Sequence, residues 1–222
     1  MGSSVYVETS VISYLTSRPS RDVVTAAHQQ LTLDWWSNAR LSFRIFVSEI
    51  VVQEASLGDP DSAKQRLAAI DGLPLLELTD NARSLAKSLI ADLAVPANAA
   101  VDALHVAVAA DNGIDYLLTW NCKHIANAKN RTLIERCLRS RGYDPPVLCT
   151  PRGTHGALNV TDPRPQDEII DEVRRNREQL LLASGGSIDE LFAALKAAEG
   201  KESRSVVKLP SRPIREHGSD AA

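Results

Sequence analysis

Over the first 150 residues the apolar positions form short solid runs, separated by longer stretches where they recur every three or four residues. The solid runs, Val5-Tyr6-Val7, Arg44 to Ser48, Leu75 to Leu78, Tyr116 to Thr119 and Val147-Leu148-Cys149, predict strands. The stretches between them predict helices: one after Ser10, one over 20–38, one holding Glu49 and Glu54, one from Asp59-Pro60 to Ile70, one from Thr79 to about Ala94, one around Asp102 and one over 122–140. Ser10, Ser48, Thr79 and Asn98 each stand where a side chain can cap the next helix. Strands alternating with helices in this way predict an α/β fold, a parallel β-sheet sandwiched by helices.

After Thr150 the pattern changes. Residues 151–165 carry Gly and Pro without periodicity and read as a linker. Two amphipathic helices follow, one near 166–183 with Ile169, Val173 and Leu180 on a stripe, and one opening at Ser187-Ile-Asp-Glu190, a capping-box pattern. Gly185-Gly186 separates them. A pair of helices this small cannot build a core alone, so it must pack on the first domain, a copy of itself or another chain. The end of the chain, 204–222, is expected to dock extended or stay disordered. The organisation is therefore a domain over 1–151, a linker over 152–165 and an appendage over 166–222.

Composition narrows the class. The chain has 222 residues, 44% of them hydrophobic and 24% charged, with a formal net charge of -3. That charge offers no global basic field for nucleic acid, although a local contact remains open. Cys122, Cys137 and Cys149 are odd in number and far apart, which fits neither a disulfide framework nor a zinc site and points to a reducing cytoplasm. No signal peptide or membrane-spanning segment is visible.

The candidate chemistry lies where strands end. Glu8 follows the first strand and Asn121 the one over 116–119, and ligand sites of open α/β sheets collect at such carboxyl ends. Glu54 and Asp102 lie on helices, Asp102 in the first turn of an almost wholly apolar one. Three converging acids would repel one another without a cation, and oxygen ligands select Mg²⁺ or Mn²⁺. Each acid also has a plainer reading: Glu8 as a helix cap, Glu54 as a solvated helix residue, Asp102 as the partner of an Arg or Lys. His105 reads as a core histidine, and His124 as a solvated one or a phosphate contact.

Read together, Val-Tyr-Val-Glu8-Thr-Ser, Val-Ser-Glu-Ile-Val-Val-Gln-Glu54, Asp102-Ala-Leu-His, Tyr-Leu-Leu-Thr119-Trp-Asn121 and Val-Leu-Cys-Thr-Pro151 resemble a PIN domain. The likeness is closest to the VapC-like toxins of bacterial toxin–antitoxin pairs, over about residues 4–151. It implies an endoribonuclease dependent on Mg²⁺ or Mn²⁺, with Glu8, Glu54 and Asp102 as metal ligands and Asn121 in the fourth catalytic position. Thr119 matches the auxiliary hydroxyl residue. The first position is usually Asp and the fourth often Asp, so Glu8 and Asn121 depart from the pattern. The family further implies an RNA substrate, a homodimer and an antitoxin. The appendage resembles small proteins encoded near PIN toxins, so the inhibitor could act in trans or be the chain's own C-terminal segment.

A second reading makes the chain a regulatory protein on a weakened site, with a basic tail residue such as Arg204, Lys208 or Arg212 among the acids. A third is a structural module with no metal.

Overall fold

The computed structural model describes residues 2–152, 167–201 and 204–214. The linker expected over 152–165 therefore lies almost wholly outside the described residues, as does the end of the tail.

Strand β1 (Ser4–Val7) is buried at every position, as a central parallel strand covered on both faces must be. Helix α1 (Thr9–Thr16) follows at once, then α2 (Val23–Ser37), β2 (Arg44–Ser48), α3 (Glu49–Ala55), α4 (Pro60–Ala69) and β3 (Leu75–Leu76). Helices α5 (Asp80–Ala91) and α6 (Ala100–Asp111) lead to β4 (Tyr116–Leu118), then α7 (Ala128–Arg139) and β5 (Val147–Cys149). The appendage adds α8 (Glu168–Ala183), α9 (Ile188–Ala198) and β6 (Val206–Val207). All strands pair in parallel, in the order β5-β4-β1-β2-β3-β6. The α/β class with a parallel sheet flanked by helices is thus the observed one. Among the described residues no helix is long and apolar enough to cross a membrane.

Helix α6 shows how sequence sets layer. All twelve of its residues are buried, because an Ala- and Val-rich surface lets it lie inside the protein with neighbours on every side. It packs most heavily on α5, whose Ala82, Leu85, Ala86 and Leu89 form one buried stripe.

Several expected caps fall elsewhere. The α1 cap is Glu8, which accepts from the Ser10 backbone N–H, and Ser10 lies inside the helix. Ser48 makes no side-chain cap, since its hydroxyl is turned to the Tyr6 phenol at 2.6 Å. Asn98 sits within a short 3-10 turn, and α6 starts from Ala99 without a side-chain cap. Thr79, Asp59 and Ser187 do cap their helices. The helix expected over 122–140 begins only at Ala128. The Ile125 and Ala126 N–H groups instead fold back to the Asn121 carbonyl.

The appendage packs on the first 152 residues and completes their core. Leu191, Phe192 and Leu195 of α9 are buried in the same apolar cluster as Val5, Ile50 and Leu76. Val206 and Val207, expected merely as extended tail, add a strand beside β3. The chain then turns beneath the amino ends of the strands. There Lys208 donates to the Asp111 carbonyl at 2.6 Å, Arg212 reaches the Gly113 carbonyl at 2.8 Å and Asp115 at 2.9 Å, and Pro213 bridges to Tyr143. Gly113 has φ +55°, and a Cβ there would strike the Pro210 carbonyl, so this turn needs glycine twice over.

Candidate acidic site and the guanidinium within it

Glu8 leaves the carboxyl end of β1 and Thr119 that of β4, the two neighbouring strands where the order reverses direction across the sheet. This is the crevice that α/β sheets use for ligands. Glu54 enters from α3 and Asp102 from the first turn of α6. Glu8, Glu54, Asp102, Thr119 and Asn121 are all buried.

What joins the three acids is Arg177 of α8. Its Nε donates to Glu54 Oε1 at 2.7 Å, one terminal nitrogen to Asp102 Oδ1 at 2.5 Å, and the other to Glu8 Oε1. The basic residue among the acids is therefore Arg177. The three tail residues considered for that place are engaged at other points: Arg204 donates to the Ile70 carbonyl, Lys208 binds Asp111 and Arg212 binds Asp115. Burial pushes the Arg177 pKa down to about 9, still above neutrality, so the group is a cation at pH 7. Its one formal charge stands against three carboxylates.

Each carboxylate presents one oxygen to Arg177 and has the other held by the domain itself. Glu8 Oε2 accepts from the Ser10 hydroxyl and from Thr119 Oγ1 at 2.7 Å. Glu54 Oε2 accepts from Thr9 and faces His105 Nε2 at 3.2 Å. Asp102 Oδ2 lies 2.7 Å from His124 Nδ1. The acids are thus aimed by groups within the first 124 residues, and the readings of Glu8 as a helix cap and of Asp102 as the partner of an arginine are both observed.

Among the described residues, Glu8, Glu54 and His105 offer ligand atoms within 4.8 Å of one another and could hold a metal ion. Asp102 reaches Arg177 but does not belong to that set. Asn121 directs its carbonyl oxygen to the His124 N–H at 3.2 Å, while its buried Nδ2 has no partner. The neutral ligand oxygen expected of Asn121 is therefore engaged, and its amide is left with an unpaired donor. Thr119, as expected of a positioning hydroxyl, accepts from the Asn121 N–H and donates to Glu8.

His105 and Arg177 were not legible as site residues. A signal for Arg177 did exist: it falls seven residues after Ile170 and four after Val173, on the stripe that buries α8. A charged residue on such a stripe must meet an opposite charge.

Two further contacts dock α8. The Tyr14 hydroxyl binds Asp167, the α8 cap, and Arg66, itself buried against the Ala55 carbonyl, reaches Glu172 at 3.1 Å. A cavity of about 310 Å³ stays open beside this helix, bounded by Val101, Asp102, Lys123, His124, Arg174 and Arg177.

No protein-family model, curated protein or solved structure matches the chain. Fold and site by themselves define a class: a parallel α/β protein whose acidic cluster, at the carboxyl ends of its central strands, is closed by a guanidinium from its own C-terminal segment.

Proposed function

We propose that this protein is a divalent-metal-dependent endoribonuclease of the VapC-like toxin type, held inactive in cis by Arg177. The observation that carries this reading is the aim of the acids. With one oxygen of each carboxylate fixed by the domain, the other three face one guanidinium, Glu54 at its Nε and Asp102 and Glu8 at its two terminal nitrogens.

The donor set fits Mg²⁺ or Mn²⁺: Glu8 and Glu54 would hold the ion, with Asp102 across the cluster. A bound ion of this kind activates water and offsets charge developing on a phosphodiester. Thr119 and Ser10 keep Glu8 in place. The free Nδ2 hydrogens of Asn121 can donate to a phosphate oxygen. Arg177 excludes both ion and phosphate while it is seated, since it takes the inward oxygen of every acid.

The test is cleavage of labelled RNA by the full chain in Mn²⁺ or Mg²⁺. Arg177→Gln is expected to cleave where the wild type is nearly silent, and adding Asp102→Asn to abolish the gain. A folded Arg177→Gln protein with no metal-dependent cleavage sinks the nuclease. It would favour the second reading, a closed regulatory module, which the threefold bonding of the buried guanidinium supports.

A further inference from the structure

A line of hydrogen bonds runs from the acidic cluster into the core. His105 Nε2 stands 3.2 Å from Glu54 Oε2, His105 Nδ1 2.7 Å from the Tyr6 hydroxyl, and that hydroxyl 2.6 Å from Ser48 Oγ. All four side chains are fully buried. One proton arrangement satisfies this line without a cation, and a second satisfies it when a cation stands between His105 and the carboxylates. With the proton on Nε2, the imidazole donates to Glu54, Tyr6 donates to Nδ1 and Ser48 donates to Tyr6. With the proton on Nδ1, the imidazole donates to Tyr6, Tyr6 donates to Ser48, and Nε2 turns a lone pair toward Glu8 and Glu54. Between the two, His105 gives up the proton on Nε2 and takes one on Nδ1 while the Tyr6 and Ser48 hydroxyls rotate, so the proton count is unchanged and the imidazole stays neutral.

The second arrangement is that of a metal-binding histidine, whose other ring nitrogen donates to a fixed acceptor. The Glu8, Glu54 and His105 ligand atoms lie within 4.8 Å of one another, and two ligands of one ion stand at most about twice a metal–ligand bond of about 2.1 Å apart, so small side-chain shifts close the set. Imidazole nitrogen favours first-row transition ions, whereas Mg²⁺ favours oxygen alone.

We propose that His105 is a metal ligand of this site, that Tyr6 and Ser48 are positioning residues that free its Nε2, and that the site prefers a first-row transition-metal ion to Mg²⁺. The proposal rests on reading the cluster as a cation site, and it replaces an all-carboxylate set with two carboxylates and an imidazole.

The test titrates Mn²⁺ and Mg²⁺ into the full-length Arg177→Gln protein by calorimetry, with Co²⁺ absorption reporting nitrogen ligation. Mn²⁺ is expected to bind at least about 10-fold tighter than Mg²⁺. Adding His105→Asn should weaken Mn²⁺ by about 10- to 100-fold and Mg²⁺ by less than about 3-fold, and Tyr6→Phe should weaken Mn²⁺ in the same sense. Equal affinity for the two ions, an unchanged Mn²⁺ affinity in His105→Asn, or no divalent binding by the folded protein overturns the proposal. If Arg177→Gln does not fold in metal-free buffer, it is refolded in excess Mn²⁺ or Mg²⁺ and melted there. A Tm higher in Mn²⁺ than in Mg²⁺, with the difference lost on adding His105→Asn, is then required, and its absence counts against His105. RNA is not present in these measurements. Mn²⁺ preference without cleavage sinks the nuclease and leaves His105 as a ligand, and cleavage without that preference does the reverse.

Discussion

Arg177 Nε and Glu54 Oε1 stand 2.7 Å apart although 123 positions separate them, and both side chains are buried. Helix α8 is thereby fastened into the acidic crevice by a charge the crevice cannot easily lose. Removing one partner of a buried ion pair costs about 3–5 kcal/mol, because the other is left uncompensated. Arg177→Gln is therefore expected to lower stability by a comparable amount in metal-free buffer, read by urea unfolding. Mn²⁺ should restore much of it, and an unchanged midpoint with or without the ion would show that the three acids need no cation.

The appendage shares a core with the rest of the chain, so it should not unfold separately. Leu191→Ala is expected to cost about 2–5 kcal/mol and to shift one common transition followed by circular dichroism and by tryptophan fluorescence. Two resolved transitions would make α8 and α9 an independent unit. Cutting the chain after residue 152 strips Leu191, Phe192, Leu195 and β6 from the fold. A point change at Arg177 is thus the cleaner way to open the site.

Beneath the amino ends of the strands, the tail is expected to be structural. Asp111 is buried and takes Lys208 and the Thr79 hydroxyl as partners. Lys208→Ala should cost about 2 kcal/mol, the scale for a buried polar group that loses a partner. Gly113→Ala should cost more than about 1 kcal/mol, since it strains a positive-φ turn and pushes the Pro210 carbonyl away. In both variants amide exchange should quicken over residues 204–214, and protection equal to wild type would deny the tail a structural part.

Acid should loosen the same region. Burial alone would raise the Asp115 pKa, but hydrogen bonds from the Ser4 backbone and hydroxyl and the charge of Arg212 outweigh it and hold it below 3.8. A depressed carboxyl pKa means stability that is fully present above 3.8 and is lost as pH falls through the lower folded value. The wild type should lose Tm on this account only below about pH 4. Arg212→Ala should lose less over that interval while starting from a lower Tm at pH 7. Parallel Tm curves for the two would mean that Arg212 does not act through Asp115.

Much of this architecture was legible from local pattern. The apolar runs gave every strand from β1 to β5, and Glu8 and Asp102 could be singled out because one sits where a strand ends and the other on an otherwise apolar helix. Glu54 shares its helix with Glu49 and Gln53 and read alone as solvated, whereas the structure buries it. What escaped depends on pairings far apart in sequence. Val206-Val207 is too short to announce a strand, and only the open edge of β3 makes it one. The cap expected of Ser48 failed because Tyr6 competes for its hydroxyl. Arg177 looked like one arginine among several, since its partners lie 75 to 169 positions away. Asn121 could be placed at the end of β4, but that its amide oxygen is taken by the His124 N–H could not be read from sequence.

The stretch under the sheet, Lys208 to Pro213, has one more consequence. It anchors the C-terminal segment at points remote from the acidic crevice, so if α8 lifts from the acids its guanidinium stays nearby. The relevant quantity is then an effective concentration, on the order of millimolar for a short tether, and it does not fall when the protein is diluted. Under the proposed function, inhibition built in this way would be unimolecular: neither low expression nor the loss of a separate partner would relieve it, and only a competitor for the carboxylates would.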